Sequence, residues 1–331
     1  MAVTYVDPDL PGITRKKVRN GWGYWDAKGA RITDREEIDR LNAIALPPAY
    51  HDAWFCPSAH GHIQAIGYDD RGRKQYRYHA DFRARQDAAK YDRCVDFGRA
   101  LPLLRARVER DLTGGGDDRD TVVAAVVRLL DLGHIRVGNE SYAKTNKSFG
   151  ATTLRNRHAK VAGKRLDLQY RAKSGVMRKL SISDRSLSRV VRRVQDLPGQ
   201  QLFQYRDDAG EVRGVGSAEV NAYIREAMGD DFTAKHFRTW SASVIALEAL
   251  VEAAREERKL PLKAMLEPVA EALGNTPTMA RKSYVHPAVI ALAGSALDFT
   301  ALPRKTRWLS GAERALIAQL DGKGLALSKA A

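Results

Sequence analysis

Just after Phe82 the chain changes period, and this change decides which folds are open to it. Upstream, short aromatic and β-branched runs are separated by turn-forming residues. Downstream, apolar residues recur at three- and four-residue spacing over long stretches closed by glycine. A period of two fits a half-buried strand and a period near 3.6 fits an amphipathic helix, and neither pattern can serve as the other. The two kinds of segment are not interleaved, so the expected class is α+β. A small β-rich N-terminal domain (residues 1–85) should precede a larger, mostly helical domain (residues 86–331) with one β-hairpin region. A length of 331 residues suits two domains.

Within the first part, Gly21–Ile32 reads as an aromatic strand, a turn and a second strand. Ile63–Tyr78 reads as a hairpin turning at Asp69-Asp70-Arg71-Gly72. Arg35–Ile44 should be a helix, ended by Pro47-Pro48. In the second part, Gly114-Gly115-Gly116-Asp117-Asp118 lacks the Gly-Lys-Ser/Thr ending of a phosphate-binding loop and reads as a linker. Thr121–Leu132 should be a buried helix stopped by Gly133. Arg165–Arg171 alternates, with Leu166, Leu168 and Tyr170 on one face, and Leu180 and Ile182 continue the pattern, which puts Lys173 at a hairpin tip. Further helices are expected at Ser183–Val194, Ser217–Met228, Thr233–Glu256 and Leu262–Leu273.

Composition adds one strong constraint. Lys and Arg number 55 against 40 Asp and Glu, a net charge of +15. A surface this positive draws polyanions, nucleic acid foremost, with RNA or acidic lipid as the other readings. Cys56 and Cys94 make no disulfide framework, which fits a reducing cytoplasm. Neither a signal pattern nor a membrane-length apolar run is visible, so a soluble protein without membrane association is expected.

The chain lacks His-Glu-x-x-His, Cys-x-x-Cys and Gly-x-Ser-x-Gly. Neither a metal nor another cofactor is therefore expected, and any chemistry should run on cationic side chains and hydroxyls. Four segments stand out. Leu132–Glu140 sets Arg136 just beyond a buried helix, and Arg171-Ala172-Lys173-Ser174-Gly175 forms the hairpin tip. Ala234-Lys235-His236-Phe237-Arg238 opens a long helix. In Leu273–Tyr284, Gly274 closes one helix, Thr276 caps the next and Pro277 fills its first turn, which leaves Asn275 in a tight turn and Tyr284 about two turns on. Singly, each has an ordinary explanation: a solvated Arg, a surface Lys, an ion-paired Arg, a packing Tyr. His134 and His236 read as structural.

In order, Arg136, Lys173, Arg238, Asn275 and Tyr284 resemble the type IB DNA topoisomerases of bacterial and poxvirus kind, the bacterial branch most closely. Ser141–Leu154 resembles the family segment after the first Arg. Gly61-His62-Ile63-Gln64-Ala65 and Gly72–His79 resemble the family's DNA-contacting β domain, and the likeness runs over roughly residues 10–290. Most viral and eukaryotic relatives carry His where this chain, like bacterial members, has Asn275, which donates a hydrogen bond but cannot carry charge or shuttle a proton. The resemblance implies that Tyr284 attacks a phosphodiester while Arg136, Arg238 and Asn275 hold its nonbridging oxygens. It makes Lys173 the general acid, with Arg136 as a candidate assistant. It also implies a monomer acting on double-stranded DNA at the nucleoid. Gln64, Arg73, Lys74, Gln75, Tyr76, Tyr78, Lys144 and Lys235 are candidate DNA contacts. Two other readings share features with this one. A site-specific tyrosine recombinase shares the nucleophile but usually carries His-x-x-Arg where this chain has Lys235-His236-Phe237-Arg238. A non-enzymatic basic DNA-binding protein shares only the charge.

Overall fold

The first strand of the computed structural model is one in which three of six residues are charged, β1 (Ile13–Val18). It pairs antiparallel with β2 (Gly21–Trp25), Thr14 opposite Trp25 and Lys16 opposite Gly23. This corrects the expected hairpin over 21–32: Gly21–Trp25 turns back to the preceding segment, and only a bridge between Trp25 and Arg31 remains of the other arm. The polar strand holds because Arg15 behaves as a core residue. Its guanidinium lies 4.2 Å over the Trp22 ring and donates to Leu46 O (2.7 Å) and Tyr50 O (3.1 Å).

After β2 comes α1 (Arg35–Ala43), capped by Asp34. Then β3 (His51–Phe55), β4 (Ile63–Tyr68) and β5 (Lys74–Tyr78) complete a five-stranded sheet in the order β2-β1-β3-β4-β5. The expected hairpin is β4–β5, turned by Asp69, whose carboxylate accepts from Arg71 N and Arg73 N at 3.0 Å each. Ile13, Tyr24, Leu41, Phe55 and Ala65 form the core of this unit. The chain divides into two units, Met1–Lys90 and Tyr91–Ala331, and α2 (Ala80–Asp92) leads from one into the other. The structure describes residues 3–19, 21–114, 116–295 and 302–322. Gly115 of the glycine linker and residues 323–331 of the expected second domain therefore lie outside the described residues.

The second unit is helical around a single core. It opens with α3 (Cys94–Thr113) and α4 (Arg119–Gly133), the latter capped by Asp118 and apolar on most faces. One detail differs from expectation. Gly133 stays helical, and the left-handed residue that ends α4 is His134 (φ 51°), whose N–H returns to Leu130 O at 3.1 Å. A short α5 (Glu140–Asn146) follows. The expected β region has a third strand: β6 (Ala159–Ala162) flanks β7 (Arg165–Arg171), which pairs with β8 (Met177–Ser183). Lys173 lies in the β7–β8 turn, where Ser174 and Gly175 both take positive φ.

Next come α6 (Arg185–Gln195), the small hairpin of β9 (Gln204–Arg206) and β10 (Val212–Gly214), and α7 (Ser217–Met228). The long α8 (Ala234–Arg255) runs through the core, with Trp240 so close to α3 that a Cβ on Gly98 would fall 2.1 Å from its ring. Then α9 (Leu262–Leu273), α10 (Pro277–Ser283), α11 (Pro287–Ile290) and α12 (Gly311–Leu320) follow. Helix α12 has no counterpart in the sequence reading, yet it packs Ala312, Ala315 and Leu316 into the core against α3 and α8. Cys56 and Cys94 are buried and form no disulfide. Among the described residues no helix is long and apolar enough to cross a membrane.

Candidate active site

Three helix ends converge on one small volume of the second unit. Beyond α4 the chain runs extended through Ile135 and Arg136, pinned where Ala151 N donates to Arg136 O (2.8 Å) and Thr152 N to Val137 O (2.7 Å). At the start of α8, His236 Nδ1 accepts from Thr233 N at 3.0 Å, and burial brings its pKa down to about 4. Its role here is to cap the helix, with burial disfavouring the charged imidazole. One turn in, Arg238 is 4% exposed. It donates from Nη2 to Leu273 O at 3.0 Å and from Nη1 to His134 O, joining the ends of α9 and α4.

The third end is the α9–α10 turn. Gly274 takes the left-handed conformation (φ 61°) that an L side chain resists, and Asn275 N reaches back to Ala270 O at 2.9 Å. Thr276 caps α10, accepting from Met279 N at 3.2 Å, with Pro277 in its first turn. This short helix delivers Tyr284 at its C-terminus.

The four side chains meet. Arg136 Nη2 donates to Asn275 Oδ1 at 3.0 Å and to the Tyr284 hydroxyl at 3.4 Å. The Arg238 guanidinium carbon lies 4.8 Å from the Tyr284 ring centroid. Burial alone would push the Tyr284 phenol up, but the positive charges of Arg238 and Arg136 outweigh it and hold its pKa below the ordinary value. For Arg238, burial first and then the charge of Arg136 bring the pKa down to about 10. A guanidinium disfavoured in this way is one that a bound anion would relieve. Two donors, Arg238 Nε and Asn275 Nδ2, are buried without a hydrogen-bond partner. Each such donor costs roughly 1–3 kcal/mol unless a ligand completes it. Crowded cations and spare donors beside a phenol of lowered pKa are an arrangement chemically able to hold an oxyanion next to the Tyr284 hydroxyl.

Lys173 is not among the four. It stands exposed at the β7–β8 turn, and the structure gives it no contact with them. A residue missed in the sequence does reach this place. Arg178, on β8, lines a cavity of about 10 Å³ together with Arg136, Arg238 and Tyr170. No motif marks it; its only signal is its place on the hairpin that bears Lys173. Among the described residues no group of three His, Cys, Asp or Glu is placed to hold a metal ion.

The other candidate contacts separate by exposure. On β5, Lys74, Tyr76 and Tyr78 alternate onto one exposed face, with the two tyrosine rings stacked at 5.9 Å. Arg73 and Gln75 are held by Asp69, at 2.8 Å and 3.0 Å. Gln64 departs from expectation. It is 8% exposed, and its amide donates to Ser58, Ala59 and Gly61 carbonyls while its oxygen accepts from Arg40, so it braces a loop instead of facing outward. Lys144 on α5 and Lys235 on α8 are exposed.

Comparison with known proteins gives the family of the chain. The family described as eukaryotic DNA topoisomerase I, catalytic core, matches residues 79–297, and that of the bacterial DNA topoisomerase IB N-terminal domain matches residues 21–69. The chain is 30% identical over 287 residues to the DNA topoisomerase 1B of Acanthamoeba polyphaga mimivirus, covering 83% of this chain and 85% of that protein. It is 20% identical over 232 residues to the DNA topoisomerase I of Monkeypox virus and to the DNA topoisomerase 1B of Vaccinia virus (strain Copenhagen), covering 69% of this chain and 71% of each. On these matches, the chain belongs to the type IB DNA topoisomerase family.

Proposed function

We propose that the protein relaxes supercoiled duplex DNA by cutting and resealing one strand through Tyr284, with neither ATP nor a metal ion. The observation that carries this reading is the grouping of Arg136, Arg238 and Asn275 around the Tyr284 hydroxyl, with buried donors left over. Attack on a phosphodiester builds negative charge on the nonbridging oxygens, and fixed guanidiniums meet that charge without reorganising. The phenol must lose its proton as it attacks, which its depressed pKa favours.

The bond broken is P–O5′ and the bond formed is P–Oη of Tyr284. The products are a 3′-phosphotyrosine and a 5′ hydroxyl. The departing oxygen needs a proton, which we assign to Lys173. The new phosphodiester resembles the old in energy, so the 5′ hydroxyl can attack back once the free end has turned. We assign Lys74, Tyr76 and Tyr78 to phosphate and groove contacts of the N-terminal unit, on the strength of their shared exposed face, and Lys144 and Lys235 to the phosphate backbone. The test is covalent trapping. Denaturant added during reaction should leave protein on a 3′ end, through Tyr284 alone, and an adduct through another residue would overturn the assignment.

A further inference from the structure

The β7–β8 hairpin and the α9–α10 turn lie far apart in sequence, and one side chain joins them. Arg178 donates from Nη1 to Glu271 O and from Nη2 to Ala272 O, both at 2.8 Å. These are carbonyls of the last turn of α9, where helical partners run out: Glu271 O also accepts from Gly274 N at 3.1 Å, so Arg178 completes the cap that Gly274 begins. The fork of a guanidinium suits two adjacent carbonyls, fixing direction as well as distance. The contact continues into the turn itself: a Cβ on Gly274 would stand 2.7 Å from Arg178 Cδ. Arg178 therefore occupies the space that the missing side chain of Gly274 leaves. One residue further along the chain is Asn275, and one short helix further is Tyr284.

On the other side, Arg178 is paired across the sheet with Tyr170, and five residues before it stands Lys173. The tip's other ties are local: the β7–β8 ladder runs up to Arg171 opposite Met177, and Gly175 N donates to Ala172 O at 3.0 Å. Ala172 and Val176 are hydrogen-bonded to one another, and Arg171 O accepts from Phe149 N, but neither bond reaches the α9–α10 turn.

We propose that Arg178 is a positioning residue that registers the Lys173 hairpin on the turn carrying Asn275 and Tyr284, so that leaving-group protonation and nucleophilic attack are aligned by one strut. The proposal rests on the reading of Lys173 as the general acid. It assigns Arg178 to the proton-delivery half of the reaction: its loss lets the hairpin drift and leaves the tyrosine, the two arginines and Asn275 in place. A misplacement of about 1 Å in such a group costs on the order of 10²-fold in rate.

The experiment compares single-turnover covalent cleavage of duplex DNA carrying either the normal bridging 5′ oxygen or a bridging 5′ sulfur at a mapped cleavage site. A thiolate leaves without protonation, since thiols have pKa about 8.5. Wild type, Lys173→Ala, Arg178→Ala, Arg178→Lys and Asn275→Ala are measured as full-length proteins, with melting temperature and DNA affinity alongside. Arg178→Ala should be slow on oxygen and recover close to wild type on sulfur. Arg178→Lys, which keeps the charge but not the fork, should fall between. The double variant Lys173→Ala/Arg178→Ala should be no slower on oxygen than Lys173→Ala, and Asn275→Ala should stay slow on both substrates. If Lys173→Ala recovers on sulfur but both Arg178 variants do not, Arg178 serves the phosphate or the fold and the proposal fails alone. If Lys173→Ala itself stays slow on sulfur, the general-acid reading fails and takes the proposal with it.

Discussion

Tyr284 sits where burial and charge pull one proton in opposite directions, and charge prevails. The consequence is a pH dependence with a definite sign. On a sulfur-bridged substrate, where the leaving group needs no proton, cleavage should rise with pH as the phenol ionises, with a midpoint below the ordinary tyrosine value of about 10. Arg136→Ala removes one of the two charges, so its midpoint should move to higher pH. A midpoint that stays put would show that the arginine does not act on the phenol. Tyr284→Phe should bind DNA as wild type does and form no adduct, measured by filter binding and denaturant trapping. None of the five proposed site residues was legible singly; their order, and its resemblance to the type IB family, marked them, while Gly274, Thr276 and Pro277 announced only the turn on which Asn275 and Tyr284 lie. Arg178 was marked by neither, because it acts by bridging segments that only the fold brings together.

At the level of elements, the α9–α10 turn is the most sensitive place. Gly274→Ala forces an L side chain into left-handed backbone and against Arg178. It should cost roughly 1–3 kcal/mol in chemical denaturation and slow cleavage as well. Helix α12 is the second such place. Glu313 accepts from Arg105 at 2.7 and 2.9 Å and from Trp240 Nε1 at 3.1 Å, and Arg105 also holds Asp131 near the end of α4. Glu313→Ala would leave the Trp240 donor and part of the Arg105 charge buried without partners, a loss of about 3–5 kcal/mol.

Burial pushes the Glu313 carboxyl up, but Arg105, Ser310 N and Trp240 bring it below its ordinary value. Its folded pKa is therefore lower than its unfolded one. The stability it confers is whole above the unfolded value and is lost as pH falls through the folded one. Glu313→Gln should show a shallower decline in melting temperature on acidification; an equal decline would remove the network from the account. The helices α7 and α9 and the β4–β5 hairpin could be read from period and turn residues. The strand β1 could not, because its Thr-Arg-Lys-Lys run hides an arginine that packs like an apolar side chain. The strand β6 is too short for its alternation to stand out, and the polar work of α12 is invisible until Arg105 and Trp240 are seen beside it.

For the molecule as a whole, the charge of +15 is the property that bears on its substrate. Each phosphate neutralised by Lys or Arg releases counterions, giving a slope of about −0.9 per contact in log affinity against log salt. Replacing Lys74, Lys144 or Lys235 by Ala should each make that slope shallower by about one contact. An unchanged slope would remove that lysine from the DNA path. The central claim is that one tyrosine, assisted by protein side chains alone, cuts and reseals DNA. Incubation of supercoiled plasmid with the purified protein in EDTA and without ATP tests it directly, with Tyr284→Phe in parallel. The account predicts a ladder of closed, progressively relaxed topoisomers from wild type and none from the variant. Unchanged supercoils, accumulation of open nicked circles, or relaxation by the Tyr284→Phe protein would contradict it.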